Sequence, residues 1–507
     1  MRNAIFVVAL AAAAGAGWFV TQGSRDTAAP SQNTLRQDVA PTEAESAAAY
    51  FISTSIPPVL QIAGEPLALS TLEERMAFHG VPGVSIAFLR DSEVEWTLTA
   101  GVRDVSTGEL VDENTMFQAA SISKPTFATT LMMYRQVHGL DLDADINTLL
   151  TRWQLPAHAW QDTQRVTLRR LLSHNAGTTV HGFRGYGAGE DVPTTIELLE
   201  GRAPSESDPV IVDIEPGSAS RYSGGGTTIA HLAFEDQSGM SLNEAASAYL
   251  FEPLGMTRSA YAQPLSAALS DNAATAHGSD GQPIPGNAHN YAPIMGAAGL
   301  WTTPGDLMRM AGGIQRAHTG LDENWMQQDT ANAMLSRQFE GLGIGFRVGG
   351  EDAITNFNHG GSNVGFRARF FAHTDTGDGI AIMTNSSNGG DLIYEILTAV
   401  SSHYGWEDGW EVDVKHVVEM SEARLDSFTG QYRLARADQL PTSISRDGDI
   451  LLLNARPYMI DIPLRPDGED SFFAMNGMAV NFTRDEAGDV VSFTFYGGVL
   501  AERVEGE

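Results

Sequence analysis

The stretch Phe117-Gln118-Ala119-Ala120-Ser121-Ile122-Ser123-Lys124-Pro125 places a serine, a lysine and a proline within little more than one helical turn. Proline is tolerated only in the first turn of a helix, so we expect the helix that runs to His138 to begin near Ser121. Residues three apart share a helical face, which allows the Ser121 hydroxyl to meet the Lys124 amine. The spacing therefore predicts a paired hydroxyl and amine at the head of a helix.

A lysine in this position is suited to act as a base. The positive end of the helix dipole and apolar neighbours such as Phe127 and Leu131 disfavour its protonated form. A neutral lysine beside a hydroxyl makes that hydroxyl a better nucleophile. Ser123 lies one residue before the lysine on another helical face, and we expect it to be dispensable for activity. The alternative interpretation is that a serine and a lysine occur at this spacing by chance.

The chain contains two lysines, Lys124 and Lys415, and arginine supplies the remaining positive charge. Arginine stays protonated in proteins, whereas a lysine can lose its proton when it is buried. Lys415 has no serine partner at a comparable spacing. We therefore expect Lys415 to be a solvated surface residue and Lys124 to be the lysine with a chemical role.

The 507 residues include 63 acidic and 31 basic side chains, which gives a formal net charge of −32. A surface this negative repels phosphate backbones and argues against nucleic acid as a partner. Cysteine is absent, which excludes thiol nucleophiles, thiolate metal sites and disulfides. Covalent chemistry must then use an oxygen or nitrogen nucleophile, and we expect no metal or organic cofactor. The chain length favours two folded units over one.

The N-terminus has a charged Arg2 followed by an apolar run from Ala4 to Val20. A charged start, an apolar middle and small residues are typical of an export signal. We expect the protein to be periplasmic or extracellular, with residues 1–21 as either a cleaved signal peptide or an N-terminal membrane anchor. Residues 22–45 have too little apolar content to pack and predict a flexible linker.

Residues 46–410 mix helical and strand-like patterns. Apolar residues at helical spacing predict helices over 68–79, 125–138 and 241–250. Alternating patterns predict a strand pair over Val84–Ala100, which turns at Asp91-Ser92-Glu93, and strands at Ile344–Val348, Gly365–His373 and Gly379–Thr384. Strands at both ends of a helix-rich middle predict an α/β (α+β) domain, in which distant segments complete one sheet and helices form an insert.

Residues 425–507 differ in character, with short alternating runs about ten residues apart. Strands are predicted at Gly430–Leu434, Ile450–Asn454, Met459–Leu464, Ala479–Phe482 and Val490–Tyr496. This spacing predicts a small all-β barrel or sandwich. Because it contains no cluster of nucleophiles or bases, we expect a structural appendage, with substrate gating or oligomerisation as the alternative.

Four further segments, in order along the chain, complete a resemblance to the serine β-lactamase and penicillin-binding-protein-like family. The branch that the chain resembles is the class C-like one of exported esterases, amidases and peptidases. The segments are Val166–Gly177, Tyr222-Ser223-Gly224, Ala298–Thr303 and His359-Gly360-Gly361. The resemblance covers residues 60–405 and implies a β-lactamase-like fold, with an antiparallel sheet flanked by helices. The tail beyond residue 425 is similar to the lipocalin-like barrels that some members append.

The resemblance implies catalytic roles for Ser121, Lys124 and Tyr222, with Ser121 as the nucleophile. Tyr222 precedes the glycine run Gly224–Gly226, in a turn that can project its phenol. A phenol near a lysine can exchange a proton with the nucleophile or the leaving group. Members of the family usually carry an asparagine two positions after this tyrosine, where the chain has Gly224. The amide that would grip a substrate carbonyl is therefore missing.

The third motif, His359-Gly360-Gly361, departs from the Lys-Thr-Gly of β-lactamases, in which Lys and Thr help to hold a substrate carboxylate. A histidine is mostly neutral at pH 7 and Gly360 has no hydroxyl. We therefore expect weak carboxylate recognition and weak or no β-lactamase activity. The resemblance makes His359, Gly360, Gly361 and Ser362 substrate-binding residues, with the Ser362 amide joining that of Ser121 in an oxyanion hole. The alternative is a structural histidine at a strand edge.

Two other groups of residues give weaker signals. The alternating aspartates over residues 141–145 are like the start of a calcium loop, but Ile146 takes the position that needs glycine. A turn at the start of a helix is the preferred interpretation. His174 and His181 lack the spacing of a metal motif such as H-E-x-x-H. We therefore expect no metal site at either place.

These observations predict an exported serine hydrolase that cleaves an ester or amide in a small molecule or short peptide, through an acyl-enzyme. One alternative is a non-hydrolytic receptor or scaffold of the penicillin-binding type. A second alternative is a β-lactamase or a D-amino-acid-specific peptidase.

Overall fold

The computed structural model describes residues 43–407, 410–434, 441–455, 459–475, 477–495 and 498–504. The predicted export signal (1–21) and residues 22–42 of the predicted linker lie outside the described residues. None of the helices within the described ranges combines the length and apolar character needed to cross a bilayer. The described residues form two compact units, the first with residues 43–50 and 73–389 and the second with residues 51–72 and 390–504.

Helices account for much of the chain between residues 120 and 340. The α-helices in the described ranges are α1 (Glu43–Thr54), α2 (Leu72–His79), α3 (Ser123–His138), α4 (Ile146–Leu149), α5 (Leu168–Leu172), α6 (Thr195–Glu200), α7 (Gly224–Ser238), α8 (Leu242–Ala246), α9 (Ala267–Ser270), α10 (Met295–Ala298), α11 (Pro304–His318), α12 (Gln328–Leu335), α13 (Gly389–Tyr404) and α14 (Glu422–Asp426). Short 3₁₀ turns lie at Ala120–Ile122 and Ala292–Ile294, and a π-helical turn lies at Ser247–Phe251.

Strands lie at both ends of this helical region, as the sequence predicts. They are β1 (Leu60–Ile62), β2 (Gly83–Arg90), β3 (Glu93–Asp104), β4 (Glu109–Leu110), β5 (Phe117–Gln118), β6 (Trp301–Thr302), β7 (Arg347–Gly349), β8 (Asn356–Asn363), β9 (Phe366–His373), β10 (Gly379–Thr384), β11 (Asp413–Lys415), β12 (Gly430–Leu434), β13 (Pro441–Asp447), β14 (Ile450–Ala455), β15 (Met459–Pro466), β16 (Ser471–Phe473), β17 (Ala479–Arg484), β18 (Val490–Phe495) and β19 (Val499–Arg503).

The first unit is built on a seven-stranded antiparallel sheet with the order β4-β3-β2-β10-β9-β8-β7. Strand β2 pairs with β10, so segments almost 300 residues apart form the centre of the sheet, and the predicted α/β (α+β) fold is confirmed. Asp91 and Ser92 have φ angles of +51° and +63°. Positive φ at both central residues is the turn geometry that matches the twist of a hairpin.

The core of this unit surrounds the beginning of α3, where Phe127 and Leu131 are fully buried. The helix starts two residues after Ser121 and ends where Gly139 adopts a left-handed φ of +78°. A helix whose first turns are buried holds its N-terminal residues rigidly, because many apolar neighbours fix its position. The predicted strand Ile344–Val348 begins later, at Arg347, since Gly345 has a φ of +83° that interrupts extended backbone.

The second unit contains a closed antiparallel barrel, in which β12 to β19 pair in chain order and β19 pairs with β12. Its interior combines aliphatic side chains with a cluster of aromatic ones, in which the rings of Phe428 and Phe482 are 4.6 Å apart and those of Phe482 and Phe493 are 5.3 Å apart. Closure leaves no exposed sheet edge, and the aromatic packing supplies a core of its own. The predicted C-terminal barrel is confirmed.

Candidate active site

Ser121 lies in a short 3₁₀ turn that leads directly into α3. The residue before it, Ala120, has a φ of +50°, a left-handed conformation that is unfavourable for a residue with a β-carbon. The Ser123 hydroxyl donates a hydrogen bond to the Ala120 carbonyl at 2.5 Å and accepts one from the Leu300 amide at 3.0 Å. Ser123 is fully buried. The expectation that Ser123 is dispensable does not fit these contacts, because its hydroxyl fixes the backbone that presents Ser121.

The structure brings Ser121 and Lys124 together. The Lys124 Nζ donates to the Ser121 Oγ at 3.1 Å and to the carbonyl of Ala297, in α10, at 2.8 Å. Lys124 is only 4% exposed, whereas Ser121 is half-buried. A hydroxyl that is open to a substrate is therefore paired with an amine that is shielded from solvent. The Ala297 carbonyl is a contact that the sequence analysis did not identify, because it comes from a distant helix.

Tyr222 lies at the same place, with the Lys124 Nζ 4.9 Å from the centre of its ring. The next residue, Ser223, caps α7, since its hydroxyl accepts a hydrogen bond from the Gly226 amide at 2.8 Å and donates to the Thr179 carbonyl at 2.7 Å. These bonds anchor the turn on the C-terminal side of Tyr222. Ser121 in its 3₁₀ turn, Lys124 in α3 and Tyr222 in the turn before α7 thus lie close together.

Three histidine rings surround Tyr222. The ring centres of His174, His181 and His359 lie 4.3, 4.9 and 6.1 Å from that of Tyr222. His174 is also connected through the backbone, because its Nδ1 accepts a hydrogen bond from the Ser223 amide at 3.2 Å. His174 lies in the segment Val166–Gly177 that carries part of the family resemblance, but neither His174 nor His181 was predicted to line the site. Nothing in their spacing indicated that they line the site, because both reach it through loop geometry.

Burial keeps these histidines in the neutral form at pH 7. Burial, followed by the charge of Lys124, lowers the pKa of His359 to about 3. The same two causes hold the pKa of His174 well below its usual value and lower the pKa of His181. A neutral His359 does not supply the positive charge that the lysine of a Lys-Thr-Gly motif would provide.

Strand β8 brings the third motif beside the nucleophile. It pairs with β9 along its whole length, whereas its pairing with β7 covers only Asn356–Asn358. The remaining part of that edge lies against the turn that carries Ser121, where a β-carbon on Gly361 would meet the Ala119 carbonyl oxygen at 2.2 Å. Glycine at residue 361 is therefore required for the close approach of strand and turn. Ser362 is exposed and follows this contact.

At Gly224, where family members usually carry an asparagine, the backbone of a neighbouring loop occupies the space of a side chain. A β-carbon on Gly224 would lie 3.1 Å from the His181 carbonyl oxygen and 3.3 Å from the Gly182 Cα. The Gly224 amide donates to that His181 carbonyl at 2.9 Å. The loop over residues 181–182 therefore occupies the space into which a longer side chain at residue 224 would extend.

The contacts of Asp145 and Lys415 bear on two further predictions from the sequence. Asp145 caps the short helix α4 by accepting a hydrogen bond from the Asn147 amide at 2.9 Å, which confirms a turn at a helix start. Lys415 lies at the surface with a side chain that is 27% exposed, and it forms salt bridges with Asp413 and Asp467. In the part of the chain that the structure describes, no group of three or more histidine or acidic side chains is arranged around a metal position.

Comparison with known proteins identifies the family. Residues 69–399, more than half of the chain, match the family described as "Beta-lactamase". "Penicillin-binding protein 4" of Amycolatopsis lactamdurans is 26% identical over 347 residues, which cover 63% of this chain and 86% of that protein. "Esterase EstB" of Burkholderia gladioli is 26% identical over 294 residues, which cover 51% of this chain and 72% of that protein.

Solved structures show the same fold. The octameric penicillin-binding protein homologue from Pyrococcus abyssi has a TM-score of 0.57 at 21% identity, covering 85% of this chain and 98% of that chain. The chain belongs to the beta-lactamase family. It is a serine hydrolase, in agreement with relatives that are named as hydrolases and esterases.

Proposed function

We propose that the protein hydrolyses esters or amides of small-molecule or short-peptide substrates through an acyl-enzyme on Ser121. The observation that carries this proposal is the 3.1 Å contact between the Ser121 Oγ and the shielded Lys124 Nζ, directly beneath the ring of Tyr222. A half-buried hydroxyl next to a buried amine and a phenol is the arrangement of an activated nucleophile. The relative named as an esterase supports an ester substrate.

The first half of the reaction forms the acyl-enzyme. The Ser121 Oγ attacks the carbonyl carbon of the substrate while its proton passes to Lys124 or Tyr222. The C–O or C–N bond then breaks, and the leaving group takes up that proton from the same pair. Because Lys124 also donates to the Ala297 carbonyl, its amine is held in one orientation throughout this exchange.

The second half releases the acid. A water molecule gives a proton to Lys124 or Tyr222 and attacks the acyl carbon, and the bond to the Ser121 Oγ breaks as that oxygen regains a proton. The oxyanion formed in both halves accepts hydrogen bonds from the backbone amides of Ser121 and Ser362. The close packing of Gly361 on Ala119 supports this arrangement, since it joins the two segments that carry these amides.

Weak or absent β-lactamase activity is part of the proposal. Three features support it: His359 is neutral, Gly360 has no hydroxyl, and backbone fills the space beside Gly224. A rigid bicyclic β-lactam has few ways to adapt to a site that lacks these contacts, whereas a flexible ester or amide can adapt. Flexible substrates should therefore react faster than nitrocefin.

The test combines labelling with turnover. A fluorophosphonate probe should label the wild type and the Ser362→Ala variant, which keeps its backbone amide, but not Ser121→Ala. Wild type and Ser362→Ala should also hydrolyse a p-nitrophenyl ester, with nitrocefin turned over much more slowly. Labelling without turnover would indicate a receptor or scaffold, and nitrocefin turnover equal to ester turnover would indicate a β-lactamase. Equal labelling of Ser121→Ala and wild type would overturn the assignment of the nucleophile.

A further inference from the structure

His174 occupies a backbone position that usually belongs to glycine. It follows the end of α5 with a φ of +55°. Its amide donates a hydrogen bond to the Leu171 carbonyl at 3.4 Å. The next amide, that of Asn175, donates to the Arg170 carbonyl at 3.0 Å, which completes the hydrogen-bond pattern of a Schellman motif. Glycine is the common residue at the left-handed position of this motif, so a histidine there indicates that its side chain has a use.

The same histidine holds the chain on both sides of Tyr222. The Arg221 amide donates to the His174 carbonyl at 2.8 Å, and the Ser223 amide donates to the His174 Nδ1 at 3.2 Å. The imidazole ring also lies against the phenol ring, with the two centres 4.3 Å apart. One residue therefore fixes both sequence neighbours of Tyr222 and contacts its side chain.

The bond from Ser223 requires a neutral imidazole. An amide N–H can donate to a ring nitrogen only when that nitrogen carries no proton, and a protonated histidine has no such nitrogen. Burial, and then the charge of Lys124, holds the pKa of His174 well below its usual value. The acceptor at Nδ1 is therefore present at pH 7.

The histidine is shielded, whereas the tyrosine is open to a substrate. His174 is 8% exposed and Tyr222 is half-buried. The Lys124 Nζ lies 4.9 Å from the centre of the tyrosine ring. Proton transfer requires donor and acceptor within hydrogen-bond reach, so a small displacement of the phenol interrupts it. An effect of His174 on the reaction would therefore pass through Tyr222 and not through contact with the substrate.

We propose that His174 is a positioning residue for Tyr222, and that it holds the phenol where it exchanges a proton with Ser121 and Lys124. This inference rests on the proposed acyl-enzyme function of the same site. The role requires a hydrogen-bond acceptor at the place of Nδ1 and a backbone that adopts a positive φ. Asparagine supplies both, because its side-chain oxygen can take the place of Nδ1 and it tolerates the left-handed region. Glycine supplies only the backbone.

The experiment compares His174→Asn and His174→Gly, each made in the wild type and in a Tyr222→Phe background. The kcat and KM for p-nitrophenyl butyrate are measured for all of these proteins, and unfolding in urea shows that each is folded under the assay conditions. The matched control is Asp91→Gly, which places glycine at another left-handed residue, exposed in the turn between β2 and β3 with a φ of +51°.

His174→Gly should lower kcat by about 10- to 100-fold while KM stays within about twofold, because the phenol loses its fixed position. His174→Asn should stay within about fivefold of the wild type, because it keeps the acceptor for the Ser223 amide. In the Tyr222→Phe background, His174→Gly should change kcat by less than about threefold, because the hydroxyl that it positions is already absent. Asp91→Gly should behave like the wild type.

The outcomes separate this inference from the proposed function. If the wild type hydrolyses no ester, the proposed function fails. If the wild type is active and His174→Gly has the same kcat, or lowers it equally in both backgrounds, the positioning role fails and the proposed function stands.

Two further outcomes are decided by the asparagine variant. Equal losses in His174→Gly and His174→Asn would overturn the inference, because the acceptor at Nδ1 would then be unnecessary. If Tyr222→Phe has no rate above that of the buffer, this comparison decides alone. If His174→Gly does not fold, His174→Ala removes the same acceptor and takes its place.

Discussion

Gly361 packs so closely on the nucleophile turn that a β-carbon at residue 361 would lie 2.2 Å from the carbonyl oxygen of Ala119. The neighbouring glycine is not constrained in this way, because the nearest atom to a β-carbon on Gly360 would be 3.5 Å away. The two glycines of the third motif therefore have different structural roles. Gly361 allows the strand to approach the turn that carries Ser121, and Gly360 leaves space beside Arg369.

Replacing Gly361 with alanine should separate strand β8 from the nucleophile turn. A displacement of about 1 Å at an active site can lower turnover on the order of 10²-fold, and we expect a loss of kcat/KM of that size for a p-nitrophenyl ester. Gly360→Ala is the matched control and should stay within a few-fold of the wild type. Similar kinetics for the two variants would contradict the close contact at residue 361.

Removal of the Ser123 hydroxyl should weaken both stability and turnover. In Ser123→Ala the buried amide of Leu300 loses its acceptor, which costs about 1–3 kcal/mol in the free energy of unfolding. The Ala120 carbonyl also loses its hydrogen bond from Ser123, and this bond helps to hold the left-handed backbone before Ser121. Since the nucleophile is then less well positioned, kcat should fall while KM changes little. Unfolding in urea and ester kinetics measure these effects. Ser336→Ala, at an exposed serine, should change neither, and a Ser123→Ala protein with wild-type stability would refute the prediction.

An arginine in place of Lys124 should be nearly as harmful as an alanine. If the buried amine accepts and returns a proton, the permanently charged guanidinium of Lys124→Arg does not replace it. We expect kcat to fall by about 10²- to 10⁴-fold in both variants. Lys415→Arg provides a control at the other lysine and should retain full activity. Substantial turnover by Lys124→Arg would mean that only positive charge is needed at this position.

The buried His359 should make stability depend on pH below neutrality. Burial and Lys124 lower its pKa to about 3, against about 6.5 in an unfolded chain. Between these values the unfolded state binds a proton that the folded state does not, so stability is full above pH 6.5 and decreases as the pH falls towards 3. At pH 5 this group should cost about 2 kcal/mol in the free energy of unfolding.

The measurement for His359 is urea unfolding at pH 7 and pH 5. The loss of stability between the two pH values should be about 2 kcal/mol smaller in His359→Gln than in the wild type. His416→Gln, at an exposed histidine, should follow the wild type. An identical pH dependence in His359→Gln and wild type would show that His359 is not held in the neutral form by the fold.

Most elements of the fold follow patterns that are visible in the sequence. The strand β10 (Gly379–Thr384) and the strand β12 (Gly430–Leu434) have the predicted bounds, and the helix predicted over 125–138 is α3. Strands β13, β16 and β19 of the barrel were not predicted, because polar or short segments such as Ser471–Phe473 carry little alternation of their own. These segments become strands because they pair with neighbouring strands when the barrel closes.

The site was predicted best where its geometry is local. The spacing of Ser121 and Lys124 at the head of a helix puts the two side chains on one face, where they can meet. The motif order pointed to Tyr222 and His359 only by resemblance to a family. His174 and His181 flank the Tyr222 ring, and neither was predicted to do so, although His174 lies within the family-like segment Val166–Gly177.

The sequence by itself thus determined the pairing of Ser121 with Lys124, the separate C-terminal barrel and the absence of thiol chemistry, since each depends on local spacing or on composition. Only the tertiary structure decided which groups surround that pair. The burial of Lys124, the neutral His359 and the position of Arg369 beside Gly360 all depend on how strands and helices pack together. The segments that meet at the site lie far apart in the chain, and the pattern within one segment does not show which distant segment packs against it.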